Sequence, residues 1–440
     1  MNRKNAVILL GSAGVLLIIL LLIIIIAGRT NNRDSKETAA SVTEESTEET
    51  LPFEEVSEDT VPASESASAA AETAPPAETT ESETPPPETV YVEPTSLRLL
   101  AVGDMLMHKG ISNICQTGEQ SYNYERLFYN IQPDLQSCDL KVVNNEVIFG
   151  GNELGNLGYP EFNVHTDLGD SELRAGFNVI LGATNHCLDQ YIDGVFNTIN
   201  YWNMHPEAVL LGLHENEAVT PKVTVVERNG IRIGMLNMTY GVNDHYLPPE
   251  NSSMIDFLTD EQRYRIADQI AWADQNTDFV IVFPHWGDEY SLHHNEKQEE
   301  WARLFTEFGA DLIIGTHTHT IQENEWITAW NGNTALCYYS IGNFVSLQAM
   351  TINMLGMMPK ITLYKDSEGT RISAVENEYL FTYFPEDFSD IGVYKLNQVS
   401  EEMLRSHWVS CAEPLEDYHA EMNALYPMTM ESLQRLAENR

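Results

Sequence analysis

Five short stretches of this 440-residue chain carry side chains suited to divalent cations. They are Gly103-Asp104-Met105-Leu106-Met107-His108, Asn144-Asn145-Glu146, Gly182-Ala183-Thr184-Asn185-His186, Pro284-His285-Trp286-Gly287-Asp288-Glu289-Tyr290 and Gly315-Thr316-His317-Thr318-His319. Carboxylate, amide oxygen and imidazole together form a donor set for ions such as Mn²⁺, Fe²⁺ or Zn²⁺. The His317-x-His319 pair is the sharpest signal. On extended backbone both imidazoles leave one face about 6–7 Å apart. That span serves two ions about 3.5–4 Å apart, the spacing of two-metal hydrolytic centres. Singly, each residue also has a structural explanation: an Asp after a strand caps a helix, Asn185 closes a turn, and His285 is a satisfied core histidine. Their coincidence after five separate apolar runs favours a metal centre.

Those runs are Leu97–Val102, Leu140–Val143, Asn178–Leu181, Phe279–Phe283 and Leu312–Ile314. Short runs rich in β-branched residues predict buried strands. In open α/β sheets chemistry lies just beyond the carboxyl ends of strands. Helical spacing over 260–274 follows the start signal Thr259-Asp260-Glu261. Residues 296–308 place Trp301, Leu304, Phe305 and Phe308 on one face and stop at Gly309. Lys222–Val226 and Ile231–Leu236 flank Asn229-Gly230, a hairpin signal. Lys360–Tyr364 and Arg371–Leu380 read as further strands, giving an α/β arrangement with some antiparallel pairing. His293 and His294, beside Glu296, read as surface residues, and His205, His214, His245, His407 and His419 fit no pattern. Residues 396–440 stay unassigned, with a weak helical pattern from Met422.

Composition divides the chain into an anchor (1–29), a linker (30–96), a folded domain (97–395) and a C-terminal extension (396–440). Ala6–Gly28 is apolar and uncharged, and 23 residues at 1.5 Å each span roughly 34 Å, enough to cross a bilayer core. It lacks an Ala-x-Ala cleavage site, so an uncleaved transmembrane anchor is expected. Arg3 and Lys4 precede it and Arg29 and Arg33 follow, a modest positive-inside signal; with an acidic tract following at once, the N-terminus is expected inside and the rest of the chain outside the cell. Residues 30–96 carry 17 acids against Arg33 and Lys36. With few large apolar side chains, this tract is expected to be a disordered spacer, its ends on the order of 45 Å apart. The whole chain has net charge −42, of which −30 falls on residues 97–440, arguing against nucleic acid as a partner. Five cysteines without a Cys-x-x-Cys pair exclude a disulfide scaffold and disfavour a thiolate zinc site. They allow up to two bridges or buried free thiols.

At the five stretches the sequence resembles the bacterial CapA family of capsule and poly-γ-glutamate synthesis proteins. The resemblance runs from about Leu97 to Val345. It rests on Gly103-Asp104, Asn145-Glu146, Asn185-His186-x-x-Asp189, His285-Trp286-Gly287-x-Glu289-Tyr290, Gly315-x-His317-x-His319 and Ser340-Ile341-Gly342-Asn343-Phe344. It implies a metallophosphatase-like sandwich of two mixed sheets flanked by helices, with two divalent ions at one edge. By analogy Asp104 and His319 bind one ion, Asn185, His285 and His317 bind the other, and Glu146 bridges. His186 would donate a proton to the leaving oxygen, Glu289 and Tyr290 would line the pocket, and His108 would add a ligand or substrate contact. The chain departs from the phosphatase pattern at Leu106, where Asp-x-His would place histidine, and at Asn144-Asn145-Glu146, and it carries Tyr191 where the family's usual glycine stands. Tyr191 implies a different local turn or a narrowed pocket entrance.

Three functions compete on this basis. The first is a membrane-anchored extracellular protein of capsule or poly-γ-glutamate synthesis, its metal centre acting on the anionic polymer or its attachment. The second is a cell-surface metal-dependent phosphoesterase without a capsule role. The third is a non-catalytic scaffold with the same fold.

Overall fold

The computed structural model describes residues 93–215, 222–348 and 350–408, all within the compact unit 86–440. The expected anchor, nearly all of the expected linker, Cys411 and His419 lie outside the described residues. Among the described residues no helix is long and apolar enough to cross a membrane.

In chain order the strands are β1 (Thr95–Met105), β2 (Gln116–Gly118), β3 (Ser121–Tyr122), β4 (Leu140–Asn144), β5 (Val179–Leu181), β6 (Val209–Leu211), β7 (Thr224–Arg228) and β8 (Ile231–Thr239). They continue with β9 (Phe279–His285), β10 (Leu312–Ile314), β11 (Asn324–Thr328), β12 (Thr334–Tyr338), β13 (Asn343–Val345), β14 (Leu355–Asp366), β15 (Gly369–Tyr383) and β16 (Gly392–Lys395). One sheet has the order β16-β15-β14-β1-β4-β5-β6, with β13 also paired to β1. It is parallel from β1 to β6 and antiparallel from β1 to β16. The second has the order β11-β12-β10-β9-β8-β7, parallel from β12 to β8 and antiparallel at both margins. The fold is α/β with mixed sheets.

Side-chain alternation along β9 shows how the layers stack. Phe279, Ile281 and Phe283 join the core that also holds Leu99, Val143 and Ile180 of the other sheet. Val280 and Val282 join a second core with Ile266 and Ile270 of the helix Arg263–Asn276 and Trp301 and Phe305 of the helix Glu296–Glu307. Both faces of β9 are therefore buried, which is why its sequence is continuously apolar. Burying one such large side chain contributes about 1.5–3 kcal/mol. The helix Glu296–Glu307 starts in a capping box: Asn295 Oδ1 accepts from Gln298 N, and Gln298 Oε1 accepts from Asn295 N. It ends before Gly309, whose φ of +106° few other residues tolerate.

Several elements differ from the sequence expectation for reasons of pairing. β1 begins at Thr95, ahead of Leu97, because Thr95–Leu100 pair in register with Lys365–Lys360 of β14. Asn229 and Gly230 take φ of +52° and +72°, as a tight hairpin turn requires. Beyond 395, Leu396, Val399 and Leu404 join the main core, and His407 is buried with Nε2 3.0 Å from the Thr382 carbonyl. These contacts come from single residues in short elements, so no periodicity announces them. Cys115, Cys138, Cys187 and Cys337 are buried free thiols.

Glu172, in the helix Asp167–Ala175, is fully buried and accepts from Asn145 Nδ2 at 3.1 Å. Burial pushes its carboxyl up to about 8, against 4.5 for a free one. A raised folded value means its contribution is complete below about 4.5 and is lost as pH rises through about 8, by at most about 1.4 kcal/mol per pH unit. Glu172→Gln keeps the acceptor and removes the titration. Thermal melts should show the variant above wild type at pH 8, the gap closing towards pH 5; parallel pH dependences would contradict this origin.

Candidate metal centre

The parallel register brings the strand ends together. Asp104, at the end of β1, faces Asn144 of β4 and Asn343 of β13, and Asn144 faces Leu181 of β5. In the second sheet His285 closes β9 and bridges Thr316, just beyond β10. Asp104 is fully buried and surrounded by donors. Asn144 Nδ2 reaches its Oδ1 at 2.9 Å, the His317 backbone N–H lies 3.3 Å from both oxygens, and His319 Nδ1 lies 3.1 Å from Oδ2. His317 and His319 do not take the extended backbone for which the separation of about 6–7 Å holds: their φ values are +99° and +60°. The looped backbone lets the His317 N–H meet Asp104, yet the two rings stay 6.0 Å apart between centroids.

Two triads emerge, Asp104–Glu146–His319 and Glu146–His285–His317, each with ligand atoms within 4.8 Å of one another. Glu146 belongs to both. Its Oε1 lies 3.8 Å from His285 Nε2 and 3.7 Å from His319 Nε2. Asn185 joins the second triad, its Oδ1 2.9 Å from His285 Nε2. All six residues expected as ligands (Asp104, Glu146, Asn185, His285, His317 and His319) therefore gather in one hollow.

The polar atoms there fit cations. Both Glu146 oxygens and His317 Nδ1 are buried without a hydrogen-bond partner, a costly state that a bound ion relieves. Burial, reinforced by the Asp104 charge, pushes the Glu146 carboxyl well above the usual carboxylate range. Burial, then the neighbouring histidines, holds His285 and His317 well below the usual imidazole range. Neutral imidazoles are good ligands, and a bound cation would supply the positive charge that lets Glu146 ionise in this buried place.

The expected proton donor His186 is buried, its Nδ1 2.7 Å from Oδ2 of the fully buried Asp189. Phe162 stands edge-on to His186 at 4.8 Å and to His108 at 5.4 Å. His108 Nδ1 lies 3.0 Å from the Leu106 carbonyl oxygen, and burial pushes its imidazole down to about 4. His108 belongs to neither triad. Tyr290 is half-exposed, 5.9 Å from the His319 ring. A cleft of about 600 Å³ opens beside the second triad, lined by Asn185, His186, Tyr191, His245, Tyr246 and Glu289 among others, with no Lys or Arg among the described residues of its wall. Tyr191 holds φ +55° at its mouth, a conformation easy for glycine and strained for tyrosine, with its ring edge-on to His245. Two residues at the centre lie outside the set chosen from sequence. The Tyr240 ring lies tilted against His317 at 4.5 Å and Asn343 Oδ1 lies 3.1 Å from His319 Nδ1. Tyr240 directly follows β8, a strand end that the same rule would have flagged.

Residues 98–348, more than half of the chain, match the model for the bacterial capsule synthesis protein PGA_cap. The chain belongs to this family. It is 26% identical over 264 residues to the capsule biosynthesis protein CapA of Bacillus anthracis, covering 59% of this chain and 62% of that protein. It is 25% identical over 276 residues to the PGA biosynthesis protein CapA of Bacillus subtilis, covering 61% and 68%. The chain thus spans less than two thirds of the first relative's length. Among solved structures, a phosphatase from Mycoplasma pneumoniae is similar at 17% identity and a TM-score of 0.40, over 65% of this chain and 93% of that one. Likeness at that level carries no weight for the chemistry.

If the hollow holds cations through Glu146, Mn²⁺ should raise the melting temperature of the wild-type chain, by about 2.7 kcal/mol of stability at 100 times its dissociation constant. Glu146→Gln should lose most of that shift. An equal shift in both proteins would show that Mn²⁺ binds elsewhere.

Proposed function

We propose that the chain is a membrane-anchored extracellular CapA-like protein of capsule or poly-γ-glutamate synthesis or attachment, with a dinuclear metal-dependent hydrolase-type centre. The observation that carries the chemistry is the pair of ligand triads sharing the unpartnered Glu146. The family and the names of the two Bacillus relatives support the capsule role. The apolar run at 6–28 supports the anchor.

Asp104, Glu146 and His319 would hold one divalent ion, and Glu146, His285 and His317 with Asn185 Oδ1 the second. Such a pair supplies Lewis-acid charge and makes water acidic enough to ionise near neutral pH. The other duties fall to side chains. Asp189 fixes the His186 ring through Nδ1, leaving Nε2 to pass a proton to the leaving oxygen. Phe162 limits the tilt of that ring from one side. Glu289 and Tyr191 shape the approach. Electrostatics restrict how an anionic polymer enters. The net charge of −30 on residues 97–440 repels it within a Debye length of about 8 Å, and among the described residues the cleft wall holds His186 and His245 but no Lys or Arg. An anionic segment is therefore held chiefly where the cations sit.

The His186–Asp189 pair suits any oxygen leaving group, which keeps a cell-surface phosphoesterase as a second function. In a strain that makes the polymer, gene deletion should lower capsule mass, and complementation with wild type but not with His285→Ala should restore it. Unchanged polymer after deletion would remove the capsule role. Turnover of a chromogenic phosphodiester with Mn²⁺ separates the second function, and there His186→Asn should lower kcat by about 10²–10⁴-fold with metal content unchanged. A His186→Asn variant as active as wild type would refute its assignment as proton donor.

A further inference from the structure

We propose that Asn343 is a positioning residue that fixes the tautomer of His319, keeping the proton on Nδ1 and presenting the Nε2 lone pair to the metal position formed with Asp104 and Glu146. The metal consequence rests on the dinuclear centre above; the tautomer does not.

Asn343 opens β13, is buried, and pairs with Asp104 across the parallel β1–β13 contact. Its Nδ2 donates to the Asn353 carbonyl at 2.9 Å and to Gln348 Oε1 at 2.8 Å. A backbone carbonyl can only accept, so the amide nitrogen must face Asn353 and the amide oxygen must face the other way. That oxygen lies 3.1 Å from His319 Nδ1. An amide oxygen also only accepts, so Nδ1 carries the hydrogen. Asp104 Oδ2, 3.1 Å from the same nitrogen, is a second acceptor when ionised. In the neutral ring the bare nitrogen is then Nε2, on the side of Glu146 Oε1 at 3.7 Å. Asn353 Nδ2 donates back to the His319 carbonyl at 2.8 Å, so this one segment grips His319 at both its ring and its backbone.

The other two imidazoles of the triads have no fixed acceptor at Nδ1, although the Asn185 amide oxygen lies 2.9 Å from Nε2 of His285. His285 Nδ1 meets the Thr316 hydroxyl at 2.9 Å, a group that donates or accepts, and His317 Nδ1 has no partner. A ring whose distal nitrogen is fixed in this way is the arrangement that orients metal-binding histidines. Removing such a partner typically weakens metal affinity 10–100-fold.

Two measurements on the full-length chain decide the matter. The first is a long-range ¹H–¹⁵N correlation spectrum of metal-free protein labelled at histidine, with His319 assigned by its loss in His319→Gln. The expected signature is the Nδ1–H tautomer; an Nε2–H signature overturns the proposal. The second is zinc titration of wild type, Asn343→Ala and Asn343→Asp. Asn343→Ala should weaken one of two zinc equivalents about 10–100-fold and leave the other unchanged. Asn343→Asp keeps the acceptor but loses both Nδ2 donor bonds, and should bind zinc like wild type. Wild-type affinity in Asn343→Ala, or equal weakening in both variants, overturns the proposal, the latter by making Asn343 a brace for the 343–353 segment. Wild-type protein that takes up no zinc would sink the dinuclear centre instead, with the tautomer still decided by the spectrum.

Discussion

The rest of the structure turns on one electrostatic constraint. Asp104 and Glu146 are fully buried, and among the described residues their only basic neighbours within 4 Å are His285 and His319. Burial holds the His285 imidazole well below its usual range, so it does not neutralise Glu146. Asp104 is satisfied by donors from Asn144, His317 and His319, but Glu146 meets none. Uncompensated, such a group costs several kcal/mol. A chain that keeps Glu146 among three histidines and a carboxylate has built a place where external positive charge is favourable.

The fold meets that constraint by making two sheets deliver their strand ends to one edge. β1, β4 and β5 bring Asp104, Glu146 and Asn185 from one side; β9 and β10 bring His285 and the His317–His319 loop from the other. Backbone strain collects in the same place. Tyr191, Asn243, Tyr290, His317 and His319 all have positive φ and all lie at the centre or its cleft. Outliers of this kind cost of order 1–3 kcal/mol each and persist where surrounding packing over-determines them. The packed cores on both faces of β9 supply that rigidity.

Much of this was legible in the sequence because the central strands are buried on both faces. Phe279–Phe283 and Leu312–Ile314 need no alternation to be recognised, and the residues just past them follow from strand-end logic. The Asn229-Gly230 hairpin and the helix that stops at Gly309 were marked by residues whose backbone freedom is rare. What escaped depends on pairing between distant segments. β13 is three residues long and exists because it pairs with β1. The His317–His319 loop has no local signal, because nothing in Thr316-His317-Thr318-His319 reveals that the His317 N–H will bond to a carboxylate 213 positions away. Asn343 is an ordinary amide until Asn353 and Gln348 determine which way it faces.

The central claim is geometric, and an anomalous-scattering map of crystals of the manganese-loaded protein tests it most directly. The account predicts two peaks about 3.5–4 Å apart with the Glu146 carboxylate between them, one beside Asp104 and His319 and the other beside His285 and His317. A hollow without peaks, or a single ion that leaves Glu146 uncoordinated, would contradict it.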